Sequence, residues 1–250
     1  MKNNWDSENY TDSFSFVGSY GKDVTNLISA PKDSRVVDLG CGNGVLTAVL
    51  AEMGYNTLGI DASPDMLKKA RELYPYLNFL QADACSFTLN DKADVIFSNA
   101  VFHWISDHEA LVNNISSNLK IGGELVFEFG GKGCAETVHS ALGEAFARYG
   151  YEYENKFNFC SVGEFAPILE RHGFRVEYAV LFDRPTVQKG ADGLKNWINM
   201  FVTDAFSGIS EHDKNKITDD VVEICRPKLC KNSEWIVDYV RLRMRAVKVE

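Results

Sequence analysis

The sequence predicts an α/β fold in which a mostly parallel sheet is wrapped by helices on both faces. Strand-like and helix-like segments alternate through most of its 250 residues, the pattern that winds such a sheet. The apolar stretch 36–39 runs into three glycines at alternate positions, Gly40, Gly42 and Gly44, and then into an amphipathic helix. A third marker, Asp61, closes the next strand pattern 21 residues after Gly40.

Each element has its own signal. A strand at 35–39 precedes a helix whose stripe is Leu46, Val49, Leu50 and Met53 and which stops at Gly54. Residues 56–60 read as the second strand; Ser63 and Pro64 open the next helix and Pro75 closes it. Strands three and four are read at 78–81 and 94–98. The helix after them carries Leu111, Ile115 and Leu119 on one face and is predicted to end at Gly122. A fifth strand at 124–129 leads to a helix with Val138, Leu142, Ala145 and Tyr149 in its stripe. Ser161 and Glu164 form the capping box of a helix ending at Gly173. Strand six then alternates through Phe174, Val176, Tyr178, Val180 and Phe182. Two helix patterns follow between 184 and 233, one with Leu194, Trp197, Ile198 and Phe201, the other with Ile217, Val221 and Ile224. A last strand is read at 235–249.

The glycine loop decides the ligand class. A residue without a Cβ lets the chain turn at positive φ and lets a ligand touch the main chain. The dinucleotide fingerprint places glycine first, third and sixth, whereas Val45 holds the sixth position here. Asp38, at the end of the strand, ill suits a loop that cradles a pyrophosphate beside a helix N-terminus. It suits a cation, and S-adenosylmethionine carries a sulfonium and an ammonium and no phosphate. Asp61 stands where an acid accepts hydrogen bonds from both ribose hydroxyls, or caps the following helix. No arginine follows it, which argues against a 2′-phosphate on the ribose.

Length and charge narrow the rest. The chain fits one domain of the larger kind, read as a single domain over 1–250. Acidic residues outnumber basic ones 35 to 26, for a net charge of −9, which disfavours a nucleic-acid substrate because such binding leans on Lys and Arg. The six cysteines, Cys41, Cys85, Cys134, Cys160, Cys225 and Cys230, form no CxxC pair; free, mostly buried thiols are expected, and no metal. No leader or span pattern is present, so the expectation is a cytoplasmic protein away from membranes, monomeric or homodimeric, acting on a small molecule.

The phrase VVDLGCGNG, followed by GIDAS, DASPDML, QADA and SNAVFHW, resembles the motifs of the class I S-adenosylmethionine-dependent methyltransferases. The resemblance implies a Rossmann-like sheet of seven strands with the last antiparallel, and a helical lid at 184–233 inserted between strands six and seven. An N-terminal helical cap over 1–30 is expected to help close the site. The implied cofactor residues are Tyr10, Asp38, Gly40, Cys41, Gly42, Asp61, Ala62, Met66, Asp83, Ala84 and Asn99. Met66 would cover the adenine, or fill the core; Asp83 with Ala84 would meet the adenine amino group, or form an ordinary turn; Asn99 would lie near the methionine end. The fourth motif lacks the Asn/Asp-Pro-Pro-aromatic sequence of enzymes that methylate exocyclic or amide nitrogens, which argues against those acceptors.

Over nearly its whole length the chain is most similar to the trans-aconitate methyltransferase branch. The phrases are the Trp5 to Tyr10 opening, SNAVFHW, SVGEFAPILERHGF and RPTVQKGADGLKNWINMF. That branch implies esterification of a small polycarboxylate, with Trp5, Tyr20, His103, Trp104, Arg184, Trp197 and Arg241 as acceptor-side candidates, and Lys189 and Tyr239 as further wall residues. A carboxylate needs no general base; a phenol, amine or carbon acid would, and His103 is the first candidate. Arg241, Arg243 and Arg245 share one strand face, read as a solvated or partly covered face. Other small acceptors, a non-catalytic binding protein and a nicotinamide-dependent oxidoreductase remain as alternatives.

Overall fold

A computed structural model describes Gly21 and residues 23–250. Among these, a seven-stranded sheet has the order β3-β2-β1-β4-β5-β10-β6. Its members are β1 (Arg35–Leu39), β2 (Asn56–Asp61), β3 (Asn78–Gln81), β4 (Ala93–Asn99), β5 (Leu119–Gly130), β6 (Phe174–Asp183) and β10 (Val240–Lys248). Strands β1 to β5 run parallel to their neighbours, and β10 lies antiparallel on β5. The predicted sheet, with its last strand reversed, is the one observed.

Both faces of the sheet are covered, which the two-residue alternation of its strands requires. Val37, Leu39, Ile96 and Phe127 point into one core with Phe102, Phe129, Phe165 and Leu242. Val36, Val95, Phe97 and Val126 point into the other, with Val24, Ile28, Leu46 and Leu50. The helices are α1 (Val45–Glu52), α2 (Pro64–Leu73), α3 (His108–Asn118), α4 (Glu136–Arg148) and α5 (Val162–Arg171). In α2 the Ser63 hydroxyl accepts from the Met66 amide with Pro64 at the first turn. The Ser161–Glu164 capping box of α5 is formed on both sides.

The helix expected to reach Gly122 stops at Asn118, and β5 begins at once with Leu119. Leu119 pairs with Ala93 and Glu124 with Val95, so the irregular stretch between them bulges out around Gly122, whose φ is 78°. The Lys248 ammonium donates to the Ser116 carbonyl at 2.6 Å and the Leu119 carbonyl at 3.3 Å, ending the helix from 130 residues away.

The chain forms two compact units. One comprises the chain to Lys132 with Asn158–Leu181 and Arg241–Glu250; the other comprises Gly133–Phe157 and Phe182–Val240. The insertion after strand six is present, but it is not purely helical. It holds α6 (Gly193–Phe201) and α7 (Glu211–Leu229), and with them β7 (Thr186–Gln188), β8 (Cys230–Lys231) and β9 (Glu234–Val237) in a three-stranded sheet ordered β7-β9-β8. In this unit α4 and α6 pack on α7, burying Val138, Leu142, Leu194, Trp197, Ile198, Ile217 and Val221. The buried partner on the α7 stripe is Cys225 as well as the expected Val221, with Ile224 only half-buried.

The single last strand read at 235–249 is two strands, broken at Asp238 and Tyr239. The Asp238 carboxylate accepts from the Thr137 amide at 3.0 Å and its hydroxyl at 2.7 Å, and the Asp238 carbonyl accepts from the Ala135 amide. Asp238 therefore caps α4, whose own N-cap Ala135 has no capping side chain. The partner lies about a hundred residues away in sequence, where alternation alone reveals nothing of it.

Candidate active site

The carboxyl ends of β1, β2, β3 and β4 and the beginning of β10 meet at one edge of the sheet, where wound α/β folds bind ligands. Asp38 sits near the end of β1, 1 % exposed, and accepts from the Thr47 hydroxyl of α1 at 2.7 Å. Burial, against the help of Thr47 and with the nearby Asp61 adding to it, raises this carboxyl from 3.8 to about 7. The stripe read from sequence passed over Thr47, a polar residue completely buried on the helix. Its spacing after Asp38 was the available signal.

Asp61 binds the glycine loop to the start of α2. One carboxylate oxygen accepts from the Gly42 amide and the other from the Ser63 amide, each at 2.8 Å. The Ile60 carbonyl accepts from the amides of Gly40 at 2.7 Å and Cys41 at 3.0 Å, so the loop is pinned along its length. Burial raises the Asp61 carboxyl and these amide bonds oppose the rise. Each oxygen retains a lone pair beyond its amide bond, enough for two ribose hydroxyls. Cys41 is a buried thiol pushed up by burial and by both aspartates, and it is unsuited to nucleophilic work.

Gly40 has φ 79°, and a Cβ there would collide with the side chain of Val101 just beyond β4. The loop thus rests directly on the segment that carries the fourth motif. Gly40→Ala is expected to displace one of them. Left-handed backbone costs an alanine about 1–2 kcal/mol before the collision is counted, so the melting temperature should fall and the stabilisation of the protein by S-adenosylmethionine should vanish in a thermal-shift assay.

Met66 is buried in the first turn of α2. Ala62 stands between Asp61 and the Ser63 cap. Asp83, exposed beyond β3, accepts from the Cys85 amide at 2.8 Å, with half-buried Ala84 between them. Asn99 ends β4. The Asn99 amide lies 3.1 Å from where a Cβ on Gly21 would project, so Gly21 approaches Asn99 closely. Trp5, Tyr10 and Tyr20, and most of the cap expected over 1–30, lie outside the described residues. The described part of that segment is anchored where the Ser29 amide and hydroxyl donate to Glu124 at 2.9 and 2.5 Å.

His103 sits in a short 3-10 turn, Phe102–Trp104, 8 % exposed, its ring 5.3 Å from that of Trp104. Its Nδ1 accepts from the Gly130 amide at 3.2 Å. Burial, followed by Arg241 and His108, holds it well below 6.5, so the ring is neutral with its proton on Nε2. A base needs an open nitrogen lone pair, and on Nδ1 that lone pair is taken by the Gly130 amide. Arg241 pairs across the ladder with Gly130, the same residue that binds His103.

Of the two readings of the arginine face of the last strand the covered one holds, with Arg241 buried and Arg243 and Arg245 half-buried. Arg241 is 8 % exposed and its Nε lies 3.9 Å from Glu128, itself 2 % exposed. Arg243 binds the same carboxylate at 2.7 Å, and Arg245 binds Glu124 at 3.2 Å and also Glu177. The antiparallel register sets Arg243 opposite Glu128, and strand alternation alone could not supply that partner. Arg184, Trp197 and Tyr239 belong to the second unit: the Arg184 guanidinium stacks 4.9 Å above the Phe182 ring, and the Trp197 indole donates to the Tyr239 hydroxyl at 2.5 Å. Lys189 is exposed.

The donor set fits S-adenosylmethionine. Two acids, the buried Asp38 and the half-buried Asp61, line a loop that holds no lysine or arginine between Gly40 and Gly44. That chemistry attracts a cation and a diol and repels a pyrophosphate. No cluster of metal-ligating side chains occurs among the described residues, and no helix among them is long and apolar enough to cross a membrane.

Residues 37–127 match a family described as a methyltransferase domain. The chain is 31% identical to an uncharacterized methyltransferase of Schizosaccharomyces pombe, over 98% of each protein. It is 33% identical to a trans-aconitate 2-methyltransferase of Agrobacterium fabrum, over 56% of this chain and only 55% of that protein. A crystal structure from Bacillus halodurans, provisionally named a methyltransferase, superposes with a TM-score of 0.66 over 93% of this chain and all of that one, at 16% identity. At such identity the likeness is one of fold.

Proposed function

The chain belongs to the class I S-adenosylmethionine-dependent methyltransferases, and on that premise we propose that it methylates a carboxylate oxygen of a small polycarboxylic acid. The observation that carries this reading is the pairing of a buried guanidinium, Arg241, with a neutral imidazole, His103, through the common neighbour Gly130. A guanidinium near enough to act on an imidazole, with an N–H donor on that ring, suits an anionic acceptor. The similarity to trans-aconitate 2-methyltransferases supports the same class.

Bound S-adenosylmethionine supplies an electrophilic methyl group on a sulfonium, with a neutral thioether as leaving group. The residues of this chain then act by holding. Asp61 grips the ribose, Asp38 balances the positive charge, and Asn99 fixes the methionine end. Arg241 and the His103 Nε2–H hold one acceptor carboxylate oxygen and leave the other lone pairs for attack. The carboxylate arrives ionised, so no proton moves and no base is needed.

Incubation with methyl-labelled donor and a panel of di- and tricarboxylates, trans-aconitate among them, tests the acceptor. A base-labile labelled ester is expected, and donor binding without transfer to any carboxylate would sink the reading. Arg241→Met is expected to leave the donor Kd within about threefold and to lower kcat/KM for the carboxylate by roughly 10- to 100-fold, the size of a lost charge-assisted hydrogen bond. Glu128 keeps its closer partner Arg243 in that variant, so the fold is expected to survive.

A further inference from the structure

The turn that carries His103 is tied down from a distant part of the chain. The Asn158 amide donates to the His103 carbonyl at 2.9 Å. Its side-chain Nδ2 lies 3.3 Å from the Ile105 carbonyl, 3.3 Å from the Ser106 carbonyl and 3.2 Å from His108 Nδ1. His108 Nε2 donates to the Phe102 carbonyl at 2.9 Å, which leaves Nδ1 as the acceptor. The Cys160 thiol reaches the same Nδ1 at 3.4 Å. Residues on either side of this tie bridge to the end of β5: Gly131 pairs with Cys160, and the Lys132 amide donates to the Cys160 carbonyl at 2.9 Å.

Two clamps therefore converge on one imidazole. Gly130, at the end of β5, holds the ring of His103. The 158–160 segment, docked on the residues just past Gly130, holds the main chain of the same turn. A cysteine, a histidine and an asparagine this close together have the composition of a nucleophilic triad, but the chemistry refuses it. The thiol is pushed up to about 11 by burial, and both Asn158 and Cys160 address the same nitrogen of His108 instead of relaying through the ring. What remains is a knot that fixes geometry.

We propose that Asn158, acting with His108, is a positioning residue that sets where His103 presents its Nε2–H to the acceptor. This rests on the reading of His103 as an acceptor-side donor. Its test is separable, because the orientation and tautomer of His103 can be read with no acceptor present. Buried turns of this kind have two ways to respond to a lost anchor: they repack with the ring unmoved, or the ring loses its fixed partner.

The experiment is imidazole 15N spectroscopy of the full chain in wild type, Asn158→Ala and Asn158→Asp, with the histidines assigned by single His→Gln substitutions. In wild type, His103 is expected as the pure Nε2–H tautomer. In both variants its two ring nitrogens should move toward a common average while the Kd for S-adenosylmethionine stays within about threefold. Asn158→Gln should restore part of the wild-type pattern, and Cys160→Ser should leave it unchanged. In turnover of the carboxylate found above, Asn158→Ala should raise KM about tenfold, the worth of roughly one hydrogen bond, and add nothing further in a His103→Gln background. Unmoved His103 resonances in folded variants would overturn the proposal, as would loss of donor binding in every variant, which would mark Asn158 as a general structural tie. If the resonances move but His103→Gln leaves the acceptor KM unchanged, the acceptor reading fails and the positioning of the turn stands alone.

Discussion

Asp61→Ala is expected to weaken S-adenosylmethionine binding by roughly 100- to 1,000-fold, as measured by calorimetric titration. The magnitude follows from a double loss. The ribose hydroxyls lose a charged acceptor, and hydrogen bonds to ionised groups are worth about 1.5–3 kcal/mol each. At the same time the amides of Gly42 and Ser63, each now 2.8 Å from a carboxylate oxygen, are orphaned, which frees the glycine loop from the start of α2. Asp61→Asn separates the two effects. Its amide oxygen can still satisfy one of the two backbone donors, so the loop should hold better than in the alanine variant, but the charged acceptor is gone. Binding within about threefold of wild type in Asp61→Ala, with the fold intact by circular dichroism, would remove Asp61 from the site.

The second large effect is on pH. The Asp38 carboxyl is raised to about 7 in the folded chain against an ordinary 3.8, so without ligand it holds its proton up to neutrality. A cationic ligand favours the carboxylate and must expel that proton. Affinity for S-adenosylmethionine is therefore expected to rise about tenfold per pH unit between pH 5 and 7 and then to level off. Asp38→Asn should flatten this profile and bind less tightly at pH 8. Stability runs the other way. Because the folded value lies above the unfolded one, the unliganded fold is favoured most below pH 4. It loses that contribution as pH rises to 7, by up to ~4 kcal/mol for about three pH units. Urea titrations should show Asp38→Asn gaining on wild type across that window, since its amide oxygen can still accept from Thr47. A donor affinity that is flat from pH 5 to 7 would mean that Asp38 does not sense the ligand's charge.

The local signals were legible because they are local. Strand β1 and strand β3 fall at the residues the alternation picked out, and the Ser63 and Ser161 caps form as their side chains require. The glycines and acids of the donor loop were likewise legible, since a positive-φ turn and a carboxylate at a strand end are written in single residues. Less visible were the partners that burial recruits. Thr47 reads as an interruption in an apolar stripe until it meets Asp38. Glu128 is one more residue of a strand pattern until two arginines of β10 close on it. Asn158 carries no motif at all, yet its side chain meets three acceptors in one turn.

By itself the sequence determined the parallel winding and the preference for a cationic nucleoside ligand over a dinucleotide, and it pointed to the two acids proposed to receive that ligand. These rest on periodicity and on the conformational freedom of single residues, which act over a few positions. Only the tertiary structure decided that the His103 ring accepts from the Gly130 amide, that the arginines of β10 lie in ion pairs with acids of neighbouring strands, and that the last strand breaks to cap α4. Each of these depends on which distant group desolvates or pairs with which, and that is a property of strand order and register.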